Sequence, residues 1–383
     1  MTLRVRRIIY SIFIFIFLII TPVIILYAAG YRYNFQKHKI QKTGVLILKS
    51  KPEGAKIFLN DKLKKTTTPA RIANLLPGDY SIKIEKDDFY SWQKKLPVES
   101  GLTTFAEDVT LFKKSLPAQI VDGNIDIFSV SPNEQKLIYI QNQEMGNELW
   151  LLDFKTSKKS LLYRLSDKNN QILTAEWSKD GQKILMIIAD NKLKNKKYIV
   201  LDSRTEEASV YSNLDDFYFE FKAIKNKIID ITSLDDAVLV DSPPAFITIL
   251  NKKNRDLKVT QSDSGNIVFE TEADIASWSE DGEKLLYLKN FEIWIYDFSS
   301  EKDFLITRYS KEIKNALWIN NNYILALFDN TLKIIELDER EQRNVTDFLT
   351  LERIHNFNID TKNQKIYFIG AIANKKGVFE LPY

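Results

Sequence analysis

The stretch Ala175-Glu176-Trp177-Ser178-Lys179-Asp180-Gly181-Gln182-Lys183-Ile184-Leu185-Met186-Ile187-Ile188 returns 101 residues later. The second copy is Ala276-Ser277-Trp278-Ser279-Glu280-Asp281-Gly282-Glu283-Lys284-Leu285-Leu286-Tyr287-Leu288. A short apolar run ending in Trp, then Ser-x-Asp-Gly, then Lys and an apolar run reads as strand, tight turn, strand. Asp-Gly supplies the positive φ of the turn, and β-branched and aromatic residues fill the flanks. Two such copies so far apart imply a repeat array.

Weaker copies extend the series. Phe128-Ser129-Val130-Ser131-Pro132-Asn133 leads into Lys136-Leu137-Ile138-Tyr139-Ile140, and Ala316-Leu317-Trp318 into Tyr323-Ile324-Leu325-Ala326-Leu327. The last pairs Phe357-Asn358-Ile359-Asp360 with Lys365-Ile366-Tyr367-Phe368-Ile369. Aromatic positions 128, 177, 278, 318 and 357 are separated by 49, 101, 40 and 39 residues. The long step holds room for one degenerate copy, expected around Phe219-Glu220-Phe221 and Lys227-Ile228-Ile229-Asp230-Ile231.

Third strands ending in an acid follow at Leu149–Asp153, Tyr198–Asp202, Ile293–Asp297 and Ile334–Asp338, and fourth strands at Ser160–Tyr163 and Phe304–Thr307. Four strands per 40-odd residues is the unit of a β-propeller. Six blades are expected over 113–383, with seven as the alternative. The repeats resemble the WD40-like blades of the TolB-type propeller, although Lys179 and Glu280 stand where that signature usually has Pro.

The last copy runs out at Gly377-Val378-Phe379-Glu380-Leu381, its third strand. A spare strand, Ala118-Gln119-Ile120-Val121, precedes the first copy, and it is expected to complete the final blade and remove an unpaired edge.

Toward the amino end, residues 8–29 carry no charge, and 22 residues at 1.5 Å rise span about 33 Å, enough for a bilayer. Pro22 is tolerated in such a helix. Residues 8–29 are therefore read as a membrane span after a cytoplasmic tail, 1–7, and before a juxtamembrane linker, 30–43. A cleaved signal peptide exiting at Ala28-Ala29-Gly30 is the rival reading. Basic residues flank both ends, so the positive-inside rule leaves orientation open.

From Gly44 the pattern alternates with period two and predicts a small β-sandwich over 44–112. Pro52-Glu53-Gly54-Ala55 sits within Gly44-x-Leu46-x-Leu48-x-Ser50 and Ala55-x-Ile57-x-Leu59, followed by Thr68-Pro69 and Leu75-x-Pro77-Gly78-x-Tyr80-x-Ile82-x-Ile84. This region resembles the PEGA domain. The resemblance implies a non-catalytic, extracytoplasmic module, and so places the bulk of the chain outside the cell membrane. The fold class expected is all-β, with one transmembrane helix.

Chemistry-bearing residues are sparse. Cysteine is absent and histidine occurs only as His38 and His355, which excludes thiolate catalysis, Cys-based zinc sites and a His cluster. The chain has no Gly-x-Ser-x-Gly elbow, phosphate loop or twelve-residue calcium loop. Asp180 and Asp281 read as turn residues, and Trp177, Trp278 and Trp318 as packing between blades. The acid pairs Asp87-Asp88, Asp215-Asp216 and Asp235-Asp236 point to opposite faces of an extended chain and read as solvated. The segment 203–265 reads as a diverged blade or an insertion.

Residues 1–114 hold 20 Lys and Arg against 9 Asp and Glu, and the remainder holds 34 against 42. The acidic distal part argues against nucleic acid. No catalytic, cofactor or metal residue is expected, and the ligand-binding residues are not assigned. The function expected is a non-catalytic envelope scaffold or recognition module for protein or polysaccharide, held in the bilayer by residues 8–29. The alternative is an extracytoplasmic hydrolase or lyase using carboxylates in the propeller channel.

Overall fold

The computed structural model describes residues 3–383 apart from 36, 134, 144–145, 168, 179, 191–195, 206–207 and 212–236. Its chain divides into two units, Met1–Lys114 with Asp338–Asn344, and Ser115–Leu337 with Val345–Tyr383.

The first unit begins with helix Leu3–Ala28, which contains Pro22. It starts earlier than expected and absorbs most of the anticipated tail, because nothing from Leu3 to Arg7 breaks a helix and Leu and Arg both favour one. The stretch Val5–Ala28 is long and apolar enough to cross a membrane, and none of it is buried.

The expected linker is not plain coil. Tyr31–Asn34 and Lys39–Lys42 form an antiparallel ribbon, with His38 at positive φ in its turn.

Seven strands then build a sandwich. One sheet orders Ala70–Leu75, Gly44–Lys51 and Thr103–Thr110, the last two parallel. The other orders Lys62–Thr67, Lys56–Leu59, Gly78–Glu85 and Trp92–Val98. The period-two alternation places Leu46, Leu48, Ile57, Ile82, Ile84 and Leu96 in the shared core, all fully buried. Each such side chain contributes about 1.5–3 kcal/mol by leaving water.

The second unit is a β-propeller. Its described residues form six four-stranded antiparallel sheets, five of them sequential meanders over 125–165, 170–211, 237–272, 275–308 and 313–350. The sixth is made from both ends of the unit. Ala118–Asp122 pairs antiparallel with Lys375–Pro382, followed inward by Lys365–Ile372 and Arg353–Asp360. The spare strand therefore completes the final sheet, as the strand count predicted.

First strands of neighbouring sheets lie side by side where Ile125–Val130 meets Asn170–Trp177 and Arg353–Asp360, and where Ile313–Asn320 meets Ile275–Trp278 and Arg353–Asp360, so they line the inner layer there. Apolar cores are shared across neighbours: Leu151 and Trp177 join the first two meanders, Leu257 and Tyr287 the third and fourth, and Ile295 and Trp318 the fourth and fifth. Val121, Tyr139 and Tyr367 join the closing sheet to the first.

The later part of the segment 203–265, read from sequence as a diverged blade or an insertion, forms strands. The third sheet occupies 237–272, later than the copy expected at Phe219–Phe221 and Lys227–Ile231, which lies outside the described residues. Its first turn uses Ser242-Pro243-Pro244, where the nitrogen of Phe246 donates to the Pro243 carbonyl at 2.9 Å. Proline supplies the turn without the Asp-Gly signature, so the repeat pattern fades there.

Candidate functional site

The repeated turns are built for their own closure. The hydroxyl of Ser178 meets the Asp180 carboxylate at 2.6 Å, the Gln182 nitrogen donates to that carboxylate at 3.0 Å, and the Lys183 nitrogen donates to the hydroxyl at 2.8 Å. Ser279, Asp281, Glu283 and Lys284 repeat this at 2.6, 3.0 and 3.0 Å. In the first copy Asn133 replaces the acid opposite Ser131. Among the described residues of these two turns, positive φ falls on Gly181 and Gly282. The turn is thus a five-residue loop knitted by its own side chains, and not a two-residue hairpin turn. The Ser178 hydroxyl holds the Asp180 carboxyl below its ordinary value, helped by the Gln182 nitrogen.

The tryptophans bind neighbouring sheets together. The Trp177 indole donates to the Ser129 carbonyl at 3.1 Å, Trp318 to the Ser277 carbonyl at 3.0 Å, and Trp278 to the Thr248 hydroxyl at 2.9 Å. Each partner lies one sheet back along the chain. The rings are committed to packing, in line with the reading from sequence.

A second repeated constellation was missed from sequence. Glu148 accepts from the Trp150 indole at 3.0 Å and from Arg164 at 2.8 Å. Glu292 does the same with Trp294 at 2.7 Å and Arg308 at 2.6 Å. Both read Glu-x-Trp with Arg sixteen residues after the Glu. The signal was the equal spacing, visible only when the two copies are laid side by side.

In the sandwich the Pro-Glu-Gly-Ala turn is latched by Thr68. Its hydroxyl meets Ser50 at 2.7 Å and accepts from the Ala55 nitrogen at 3.0 Å, while its carbonyl accepts from the Gly54 nitrogen at 2.7 Å. Ser50 and Thr68 are buried, so the motif is an internal brace.

Within the first unit the Lys94 ammonium is wholly buried, donating to the Asp338 carbonyl at 2.7 Å and standing 3.2 Å from its carboxylate. Burial pushes the Asp338 carboxyl up, but Arg340 and Lys94 outweigh it and hold it below its ordinary value. A shallow cleft of about 190 Å³ lies beside Pro97, Glu99, Leu102, Thr103, Thr104 and Arg340. That is smaller than the few hundred Å³ of a usual small-molecule site.

The propeller's inner strands carry mixed charge. His355 is exposed on the innermost strand of the closing sheet, and its imidazole is held below its ordinary value by partial burial and by Arg353 and Lys314, with Asp126 pulling the other way. The Asn315 amide donates to the Asn356 side chain at 3.3 Å across adjacent inner strands. His355 is thus influenced by two cations, Arg353 and Lys314, and by one acid, Asp126. Among the described residues no group of three His, Asp or Glu could hold a metal. Asp87 pairs with Lys56 at 3.1 Å, and Asp88 turns the chain at positive φ. Asp215-Asp216 and Asp235-Asp236 lie outside the described residues.

Residues 43–114 match the PEGA domain. Among solved structures, similar chains include one from "Crystal Structure of Mitotic Checkpoint Complex", at TM-score 0.49 and 8% identity, covering 71% of this chain and 93% of that one. TolB from Acinetobacter baumannii is similar at TM-score 0.37 and 14% identity, covering 70% and 61% respectively. The β-propeller domain of the Trilobed protease from Pyrococcus furiosus follows at TM-score 0.36 and 12% identity, covering 79% and 84%. No curated protein matches the chain.

Proposed function

We propose that this chain is a membrane-tethered envelope protein that presents its PEGA domain and propeller outside the cell membrane and works by binding, as a scaffold or recognition module for protein or polysaccharide. One observation carries the reading: a membrane-length helix, Val5–Ala28, leads within twenty residues into a PEGA domain at 43–114. The extracytoplasmic setting implied by the PEGA resemblance supports putting the distal propeller on the outer side of the membrane.

A binding role fits the inventory of side chains. The conspicuous tryptophans, acids and hydroxyls close turns and join sheets, as their hydrogen bonds show. A rigid ring bearing many loops suits recognition through a broad surface.

The test is photo-crosslinking of the full chain in native envelopes, with the reactive group placed on propeller loops at Ser157, Asn254 or Lys362. A single recurrent envelope protein or glycan, captured from some positions and not others, is the expected result. Turnover of a wall polymer by the purified full chain, abolished by Asp126→Asn, would overturn it.

A further inference from the structure

The ribbon that replaces the expected linker is built with its amphipathic faces reversed. Its register sets Tyr33 opposite Ile40 and Tyr31 opposite Lys42 on one face, and Arg32 opposite Gln41 and Asn34 opposite Lys39 on the other. The polar face is satisfied internally. Asn34 is buried and donates to Gln41 at 2.8 Å, and Arg32 donates to Asn74 of the sandwich at 2.9 Å. Arg32 also donates to the Tyr27 carbonyl at 2.7 Å and covers the Tyr27 ring at 3.5 Å.

Among the described residues the apolar face is largely open to solvent. Tyr33 is 46% exposed, Ile40 57% and Phe35 80%, with the Tyr33 and Phe35 rings edge to face at 5.1 Å. A four-pair ribbon is marginal in water, and one that turns its aromatic face outward gains nothing there from burial. The apolar medium within reach is the bilayer, since the membrane-length helix ends at Ala28 and the ribbon begins at Tyr31. Aromatic rings and lysine stems are the side chains that settle at the headgroup level. Charge agrees: Lys37, Lys39 and Lys42 flank the aromatic face, and no Asp or Glu occurs before Glu53.

We propose that Tyr31–Lys42 is an interfacial hairpin that lies in the headgroup layer of an anionic bilayer, Tyr33, Phe35 and Ile40 inserted and the lysines at the phosphates. It rests on the reading of the preceding helix as a membrane anchor. The hairpin fixes the sandwich at the surface through Arg32 and Asn74, instead of leaving it on a free tether.

The absence of cysteine makes the test direct. Full-length chains with Ile40→Cys, Ile14→Cys or Leu63→Cys carry an environment-sensitive fluorophore at that site and are reconstituted in nanodiscs of phosphatidylcholine with phosphatidylglycerol. Quenching by shallow nitroxide lipid and by aqueous iodide is then compared. The site at position 40 is expected to be quenched by the lipid and several-fold protected from iodide relative to position 63. Lys37→Gln, Lys39→Gln and Lys42→Gln together, or discs of phosphatidylcholine alone, should reduce the lipid quenching. Lipid quenching at 14 with full iodide access at 40 would overturn the hairpin and leave the anchor standing. No lipid quenching at either site would overturn both, and equal quenching in the two lipid mixtures would overturn the anionic preference.

Discussion

A β-carbon placed on Gly377 would stand 1.9 Å from the carbonyl oxygen of Val121. Those two residues belong to strands that pair across more than 250 positions of sequence, Ala118–Asp122 against Lys375–Pro382. The close approach at φ +148 is open only to glycine, and it lies in the seam where the first and last strands of the propeller meet.

Gly377→Ala should therefore lower the stability of the propeller by on the order of 2–4 kcal/mol, through clash and backbone strain. Gly265→Ala is the control, at positive φ but with nothing within 4 Å of the added carbon. It should cost only about 1 kcal/mol. Thermal melting of the full chain in detergent measures both, and equal losses would contradict the seam.

Trp318→Phe keeps most of the ring but removes the donor to the Ser277 carbonyl. A loss of about 0.5–1.5 kcal/mol is expected, the net worth of a part-buried hydrogen bond. Trp177→Phe should behave alike, and the two losses should add because the sites share no partners. An unchanged denaturation midpoint for either would contradict the indole's role between sheets.

Acid should discriminate the turns. Asp180 titrates below its ordinary 3.8 in the folded chain, so its contribution is present above about pH 3.8 and is lost as pH falls through the lower folded value. Asp180→Asn should be less stable than the parent at pH 7, with the gap narrowing below pH 3.8. Denaturant melts at pH 7 and pH 3 measure this, and a gap independent of pH would contradict the assignment.

His355 should titrate, by NMR, with a midpoint below the ordinary 6.5. Its charged form is disfavoured in the folded state, so its contribution to stability falls as pH drops through that midpoint. Arg353→Gln and Lys314→Gln should each raise the midpoint and Asp126→Asn lower it. A midpoint at or above 6.5 in the parent would contradict the mixed-charge inner surface.

What could be read from the chain followed from how local each signal was. Trp177-Ser178 with Asp180-Gly181, and its copy at 278, mark two turns because strand, hydroxyl, acid and glycine all lie within five residues. The seam strand at Ala118–Asp122 was legible by counting, since the last repeat lacks a fourth strand. The ribbon Tyr31–Lys42 was not, because four pairs are too short for period-two alternation to stand out, and its apolar face points the unexpected way. The third sheet faded because Pro243-Pro244 turns the chain without Asp-Gly. Glu148 meets Arg164 through cross-strand register, which a single copy does not reveal and which only the shared spacing of the two copies hints at.

The central claim, a chain anchored by its first helix with everything after Gly30 outside, is tested most directly by cysteine accessibility. Single cysteines at Thr2, Leu63 and Ser157 are probed with a membrane-impermeant maleimide on spheroplasts. The account predicts labelling at 63 and 157 without lysis, labelling at 2 only after lysis, and full retention of the chain in the membrane after a carbonate wash. Labelling at 2 with protection at 63 and 157, or release of the chain by the wash, would contradict it.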